Sequence, residues 1–296
     1  MHPTLFTIGK WNIPTYTILL YLGLVLALVV IYFEGKRLLG GGEVALDLGL
    51  WTLVGGVLGG RLAHVAANWS AYGENPGQVI RFWEGGLSFH GAFIGGVLAL
   101  FLFSRLYRRN AEGRFRESHL SVMLELGDVL ALGLAVGIAF GWAACLMGGC
   151  SYGVIGQGPG YAILPDTFGV EAPRFVSQAV GLAYAAVLFV AFWFTREHWR
   201  LVGESFLMFA LLYFAGLFFL EFTLGSESLY LGPWRVTQVL DLAFVLLAAA
   251  GLLALWWQAR SAAEEDSWGQ ESGSDVQNGR RSEQHAAEQR HLPAEE

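Results

Sequence analysis

Charge is what this sequence has least of. Only 15% of its 296 residues are Asp, Glu, Lys or Arg, against about 25% in an average soluble domain. Hydrophobic residues make up 54%, so the composition excludes an ordinary water-soluble globule and points to lipid as the solvent. Cysteine is nearly absent: Cys145 and Cys150 are the two present, too few for the disulfide framework of a small secreted fold. There is no basic surplus either, since the formal charge is −7, and nothing suggests nucleic acid as a partner. Most of that charge is local. Residues 259–296 hold nine acids and four bases, a balance of −5 that leaves −2 for the rest of the chain. No charged leader with a short apolar run precedes the first hydrophobic segment, so no cleavable signal peptide is expected.

What the chain does have is long apolar runs, together with 11 Trp and 21 Phe, residues that collect at membrane interfaces and in helix cores. A helix crossing lipid needs about 20 mostly apolar residues. Seven stretches qualify: 15–34, 45–67, 87–106, 119–144, 176–195, 203–223 and 237–258. The expected fold is therefore an all-α integral membrane protein of about seven transmembrane helices over residues 1–258. Residues 259–296 are expected to form a charged, disordered cytoplasmic tail. Glycines recur in the second and fourth runs, allowing close helix approach in a bilayer. Orientation follows from the bias of Lys and Arg toward the cytoplasm. Lys36 and Arg37 follow the first run, Arg105, Arg108, Arg109, Arg114 and Arg116 the third, and Arg196 and Arg200 the fifth. The other side carries Lys10, Arg81, Arg174 and Arg235. All three basic clusters share one side only if the N-terminus is outside and the C-terminus cytoplasmic.

Three features carry possible chemistry. The first is Gly85-Gly86-Leu87-Ser88-Phe89-His90-Gly91, with Gly95 and Gly96 just beyond. A histidine flanked by glycines has room for a ligand at its ring, and imidazole is the usual base near neutral pH. The alternative is a core histidine bonded to a neighbouring helix. The second is the run from Gly141-Trp142 through Cys145 to Gly149-Cys150-Ser151-Tyr152-Gly153. Its small residues suggest irregular backbone lining a cavity. The two cysteines read as a metal or redox pair, or more simply as small polarizable core residues. The third is a set of polar residues inside apolar runs: Arg61, Glu125, Asp128, Glu221 and Asp241. Each costs about 3 kcal/mol or more at mid-bilayer unless paired. Glu125 and Asp128 lie close enough to the cytoplasmic end to snorkel, whereas an Arg61–Glu221 pair would account structurally for the other two.

These segments, in this order, resemble the bacterial prolipoprotein diacylglyceryl transferase family. The resemblance runs through His2-Pro3-Thr4-Leu5-Phe6-Thr7-Ile8-Gly9, Ile13-Pro14-Thr15-Tyr16, Gly59-Gly60-Arg61-Leu62 and the glycine-rich segment around His90. It continues through Asp128, the run ending at Gly153, Gln178, Tyr213, Glu221 and Arg235-Val236-Thr237-Gln238. It covers roughly residues 2–258. It implies a multi-pass protein of the bacterial cytoplasmic (inner) membrane, acting in lipoprotein biosynthesis. Such an enzyme transfers the diacylglyceryl group of phosphatidylglycerol to the lipobox cysteine thiol of a preprolipoprotein, and it needs no metal or cofactor. The resemblance implies that His90 is the base, with Tyr16 and Tyr213 functional tyrosines, Arg61 and Glu221 conserved polar groups, and Gly153 a required glycine.

The departures are as specific. The family's Gly-Arg is Gly141-Trp142 here, its following Asn and Glu positions hold Cys145 and Cys150, and a second family arginine is Leu217. Ala179-Val180-Gly181 stands where Leu-Tyr-Glu is expected after Gln178. The leaving group is a phosphate ester, and removing one donor to such a developing charge commonly costs about 10²–10³ in rate. Phosphate binding is therefore expected to move to Arg61, Arg174 or Arg235. Two other readings stay open: a family member that binds lipid or signal peptide without turnover, or one acting on a different lipid. A transporter is disfavoured because no inverted repeat or paired broken helices are visible.

Overall fold

The structure is a computed structural model, described over residues 4–8, 11–73, 76–82, 85–110, 118–226 and 228–289. His2, Pro3, Gly9, Lys10, Arg114, Arg116 and residues 290–296 lie outside the described residues. An antiparallel hairpin, β1 (Thr4–Ile8) and β2 (Trp11–Pro14), leads into α1 (Thr15–Leu38) and α2 (Gly42–Ala67). The short α3 (Trp69–Gly73) and a 3₁₀ turn at Pro76–Gln78 precede α4 (Phe89–Asn110) and α5 (His119–Gly148). A second hairpin, β3 (Tyr161–Pro165) and β4 (Glu171–Phe175), precedes α6 (Ser177–Thr195) and α7 (Glu204–Leu220). After a 3₁₀ turn at Glu221–Thr223, the small hairpin β5 (Tyr230–Leu231) and β6 (Trp234–Arg235) opens α8 (Val236–Gln289).

Seven of these helices are long and apolar enough to cross a membrane: Thr15–Leu38, Gly42–Ala67, Phe89–Tyr107, His119–Gly148, Ser177–Thr195, Glu204–Thr223 and Val236–Ala263. Their outward faces are apolar, with Leu58, Leu62, Val187 and Phe194 all exposed, as lipid-facing surface requires. The hydropathy runs and the helices differ at their ends for local reasons. The first helix continues past residue 34 because Lys36 and Arg37 complete its last turn, where cations complement the helix dipole. The helix carrying His90 starts at Phe89 rather than 87, since Gly85 and Gly86 before it both take positive φ, which a helix cannot continue.

The closest helix contact joins the second and third spans, not the fourth. Gly55 and Gly59 of α2 face Gly91 and Gly95 of α4: a β-carbon at Gly59 would lie 2.4 Å from the Gly91 carbonyl oxygen, and one at Gly95 would lie 2.2 Å from that of Gly55. Two small-xxx-small stripes thus let backbone touch backbone and fix His90, next to Gly91, against the helix bearing Arg61. The glycines of α5 do different work, seating larger side chains: Gly127 receives Phe206 and Gly133 receives Ile31.

Asp128 and Glu34 at the basic face are satisfied locally. Asp128 of α5 accepts hydrogen bonds from the Gly203 and Phe206 amides, at 2.6 and 2.8 Å. It thereby caps the α7 N-terminus from a neighbouring helix, so Asp128 is built in rather than snorkelling. Glu34 pairs with Arg37 and, at 3.7 Å, with Arg196.

Contacts divide the chain into two units, Met1–Ala249 and Ala250–Glu296. Over its described residues the second is the remainder of α8. Its backbone is helical to Gln289, through the segment whose composition pointed to disorder, and residues 283–289 are largely Ala, Glu and Gln, all good helix formers.

Candidate active site

At the helix ends where α1, α4, α6 and α8 begin and α2, α5 and α7 finish, the hairpin β1–β2 leads into α1, α3 and a 3₁₀ turn join α2 to α4, and the hairpins β3–β4 and β5–β6 join α5 to α6 and α7 to α8. His90 occupies the second position of α4, buried at 6% exposure. Its Nε2 lies 2.8 Å from Oδ1 of Asp241, a fully buried residue on the first turns of α8. The histidine is therefore bonded to a neighbouring helix, as the core reading anticipated, but its partner is a carboxylate. Phe89, Phe214 and Phe244 surround the imidazole at centroid distances of 5.6, 6.4 and 6.4 Å.

Tyr213 on α7 is 4% exposed, stacks on Phe209, and meets Phe89 edge-on at 5.7 Å. Its hydroxyl lies close to the Trp142 indole, which can act only as donor. The Trp142 ring in turn fills the space above Gly181, where a β-carbon would stand 2.4 Å away. Leu217 is buried in the same apolar cluster. Trp142 and Leu217 thus belong to one buried apolar cluster, with Gly181 directly against the indole.

The structure does not form the Arg61–Glu221 pair. Arg61 is 8% exposed and spends its guanidinium on the connection before α4. Nε donates to Val79 O at 2.8 Å, Nη1 to Gly85 O and Gly86 O at 2.6 and 3.0 Å, and Nη2 to Gln78 O at 2.6 Å. Irregular backbone at this depth needs donors for its carbonyls, and a planar fork supplies several at once. Arg61 thereby shapes the loop that delivers His90. Glu221 instead faces Arg235, whose Nη1 lies 3.4 Å from Oε2, while Nη2 donates to Leu224 O at 2.5 Å. Arg235 is also the residue before α8, and its amide donates to Gln238 Oε1 at 3.0 Å, the reach-back half of a capping box.

Gly153 forms a bridge with Leu224, and the Val154 amide donates to Thr223 O at 2.9 Å. A β-carbon on Gly153 would lie 2.1 Å from the Phe175 carbonyl oxygen, so no larger residue fits. Arg174 on β4 donates to Asp166 Oδ2 at 2.9 Å and lies over the Tyr152 ring at 4.5 Å. Its buried Nε has no hydrogen-bond partner among the described residues. Asp166 also accepts from the Phe168 and Val170 amides at 2.9 and 3.0 Å. The Val170 amide above all, then the Phe168 amide and the charge of the Arg174 guanidinium, hold this carboxyl below the usual aspartate range despite the opposing desolvation. Tyr16, in the first turn of α1, lies against the end of α5, where a β-carbon on Gly148 would come within 2.8 Å of its ring.

The cysteines need a correction. Cys145 and Cys150 are joined as a disulfide rather than standing as two free core residues, clipping the last turn of α5 to the run that holds Gly153. Gly149 between them takes φ 75°, the left-handed conformation that ends a helix. Among the described residues no group of three or more His, Cys, Asp or Glu is placed to hold a metal.

The face therefore brings together His90, Asp241, Tyr213, Glu221, Arg235 and Gly153. Arg61 and Arg174 support its loops, and Tyr16 borders α5. Asp241 was visible in the sequence as an intramembrane acid but was not assigned to the site. An acid six residues after Arg235 on an apolar helix was the available signal.

Comparison with known proteins bears on this arrangement. The family model described as prolipoprotein diacylglyceryl transferase matches residues 3–257. The phosphatidylglycerol–prolipoprotein diacylglyceryl transferase of Trichormus variabilis is 27% identical over 269 residues, covering 87% of this chain and 91% of that protein. Its counterpart from Gloeobacter violaceus is 29% identical, covering 89% and 95%. That from Clostridium novyi is 30% identical, covering 83% and 93%.

Proposed function

We propose that this chain, which belongs to the prolipoprotein diacylglyceryl transferase family, moves the diacylglyceryl group of phosphatidylglycerol onto the lipobox cysteine thiol of a preprolipoprotein. Membership makes it a transferase-type, multi-pass protein of the bacterial inner membrane. The single observation carrying the finer reading is the buried His90, held by Asp241 at the mouth of the helix bundle. The thiol proton passes to His90 as the sulfur attacks the glyceryl carbon. The C–S bond forms, the C–O bond to phosphate breaks, and its electron pair leaves on glycerol phosphate.

Arg235 is the donor best placed for the departing phosphate. Arg61 is bound to four loop carbonyls and Arg174 to Asp166, whereas the Arg235–Glu221 contact is long at 3.4 Å and yields readily to a phosphate. Tyr213, edge-on to Phe89, closes the apolar wall beside the base, and Tyr16 lies against the end of α5.

The disulfide supports the orientation with the N-terminus outside. Such bonds persist in the oxidising periplasm, and this one lies at the ends of the helices opposite Lys36, Arg37 and Arg196.

The packing of Trp142 and Leu217 into an apolar cluster favours one second reading, binding of phospholipid or signal peptide without turnover. The distinguishing experiment incubates purified chain with phosphatidylglycerol vesicles and a lipobox peptide, then measures released glycerol phosphate. Release that requires the peptide thiol is expected. Lipid or peptide binding without release would favour the second reading.

A further inference from the structure

His90 and Asp241 are 151 residues apart in sequence and meet at 2.8 Å through Nε2 and Oδ1. A carboxylate can only accept, so a neutral imidazole facing it through Nε2 carries its proton there and keeps its lone pair on Nδ1. No other hydrogen bond to the imidazole is found among the described residues. The plane of the ring is also fixed. Phe244, one turn beyond Asp241 on the same helix, lies nearly parallel to it at 11°, and Phe214 flanks it from α7.

Asp241 makes poor sense as a stabilising residue alone. It is fully buried, and its Oδ2 has no hydrogen-bond partner among the described residues. A half-satisfied buried carboxylate is costly, and an apolar pair of similar shape is often at least as stable. The ionisable groups around it are otherwise engaged. Glu221 faces Arg235, and His90 is the one side chain bonded to Asp241 among the described residues.

We infer that Asp241 is a positioning residue for His90. It fixes the tautomer protonated on Nε2, presents Nδ1 to the incoming thiol, and stabilises the imidazolium that forms as the thiol proton arrives. Asp241 takes no proton itself: the proton stays on Nδ1 while the sulfur electron pair makes the C–S bond and glycerol phosphate departs with the C–O pair. The inference rests on His90 acting as the base.

The test reads the tautomer separately from turnover. Full-length chain with ¹⁵N-labelled histidine is examined by NMR in micelles, the His90 signals being identified by their loss in His90→Gln. The expected result is a protonated, pyrrole-type Nε2 and a pyridine-type Nδ1. In Asp241→Asn the carboxamide can donate to Nε2, and the pattern should reverse. In the transfer assay the same variant should lower kcat by about 10²–10⁴, the scale on which a wrong tautomer acts in a hydrolytic triad, with KM changed less than about threefold. Asp241→Glu should keep the wild-type tautomer and recover part of kcat. A wild-type spectrum with the proton on Nδ1 overturns the inference without any variant, and so does an Asp241→Asn protein with unchanged kcat. A chain with the expected tautomer but no transfer would sink the base assignment instead.

Discussion

The indole of Trp142 on α5 lies over Gly181 on α6, so closely that a β-carbon at Gly181 would stand 2.4 Å from the ring. The two positions are those at which the family resemblance leads one to expect an arginine and a glutamate. In this chain the contact is a large apolar ring seated on the smallest residue, which leaves no room for a side chain at Gly181.

A double-mutant cycle follows from this. Trp142→Arg alone leaves a cation facing a glycine, and Gly181→Glu alone drives a carboxylate into the indole. Each should cost about 3–5 kcal/mol, the scale of an unpaired buried charge. Trp142→Arg with Gly181→Glu should regain most of the loss, as coupled neighbours do. Thermal unfolding in detergent reads this directly, and additive losses would contradict the coupling.

Gly153→Ala should be out of proportion to one methyl group. Its β-carbon would meet the Phe175 carbonyl oxygen at 2.1 Å and the Ser177 hydroxyl at 2.8 Å, neither at the end of a flexible chain. Overpacking of this kind costs about 1–3 kcal/mol. Transfer should fall further than stability, because the Gly153–Leu224 bridge also places the carbonyl that anchors Arg235. A folded Gly153→Ala protein of normal activity would show that the bridge does not position the site.

Arg235→Lys keeps the charge but removes the fork that spans Glu221 and the Leu224 carbonyl. Loss of one preorganised donor to a developing anion is expected to lower kcat by about 10²–10³. Arg174→Lys, at a residue tied to Asp166, should lower it much less. Steady-state kinetics on both variants decides whether the phosphate role belongs to Arg235, and equal effects would remove that assignment.

The β3–β4 hairpin should loosen in acid. Asp166 is held below its ordinary range by the Val170 amide, then by the Phe168 amide and Arg174. A depressed carboxylate contributes stability that is fully present above the unfolded value, about 3.9, and is lost as pH falls through the lower folded one. Amide protection at Phe168 and Val170 should therefore drop in that window. Asp166→Asn should be less protected at neutral pH and show no such step.

The membrane class and all seven spans were legible because a run of about 20 apolar residues leaves few alternatives in lipid. His90, Tyr213, Glu221 and Gly153 were singled out by the order of short motifs, and hydrogen bonds, ring contacts and a backbone bridge tie them to neighbouring helices and loops. The pairing was not. Arg61 and Glu221 seemed natural partners as two opposite charges in apolar runs, yet Arg61 turned to the carbonyls of its own loop and Glu221 to Arg235, which a hairpin brings beside it. The His90–Asp241 contact joins residues from the third and last spans, and no local periodicity encodes such a meeting. The disulfide went unread for a different reason: two cysteines five apart near a helix end fit a packed pair as well as a bond, until the left-handed turn at Gly149 folds one back onto the other.

The central claim is thioether formation, and it is read most directly by mass spectrometry of a lipobox peptide after incubation with the purified chain and phosphatidylglycerol of defined acyl composition. The expected product is a peptide heavier by one diacylglyceryl group, attached at the cysteine, absent when that cysteine is serine and reduced at least about 10²-fold by His90→Gln, as loss of a general base requires. An unmodified peptide with folded, lipid-binding protein, beside a family relative active in the same assay, would contradict it.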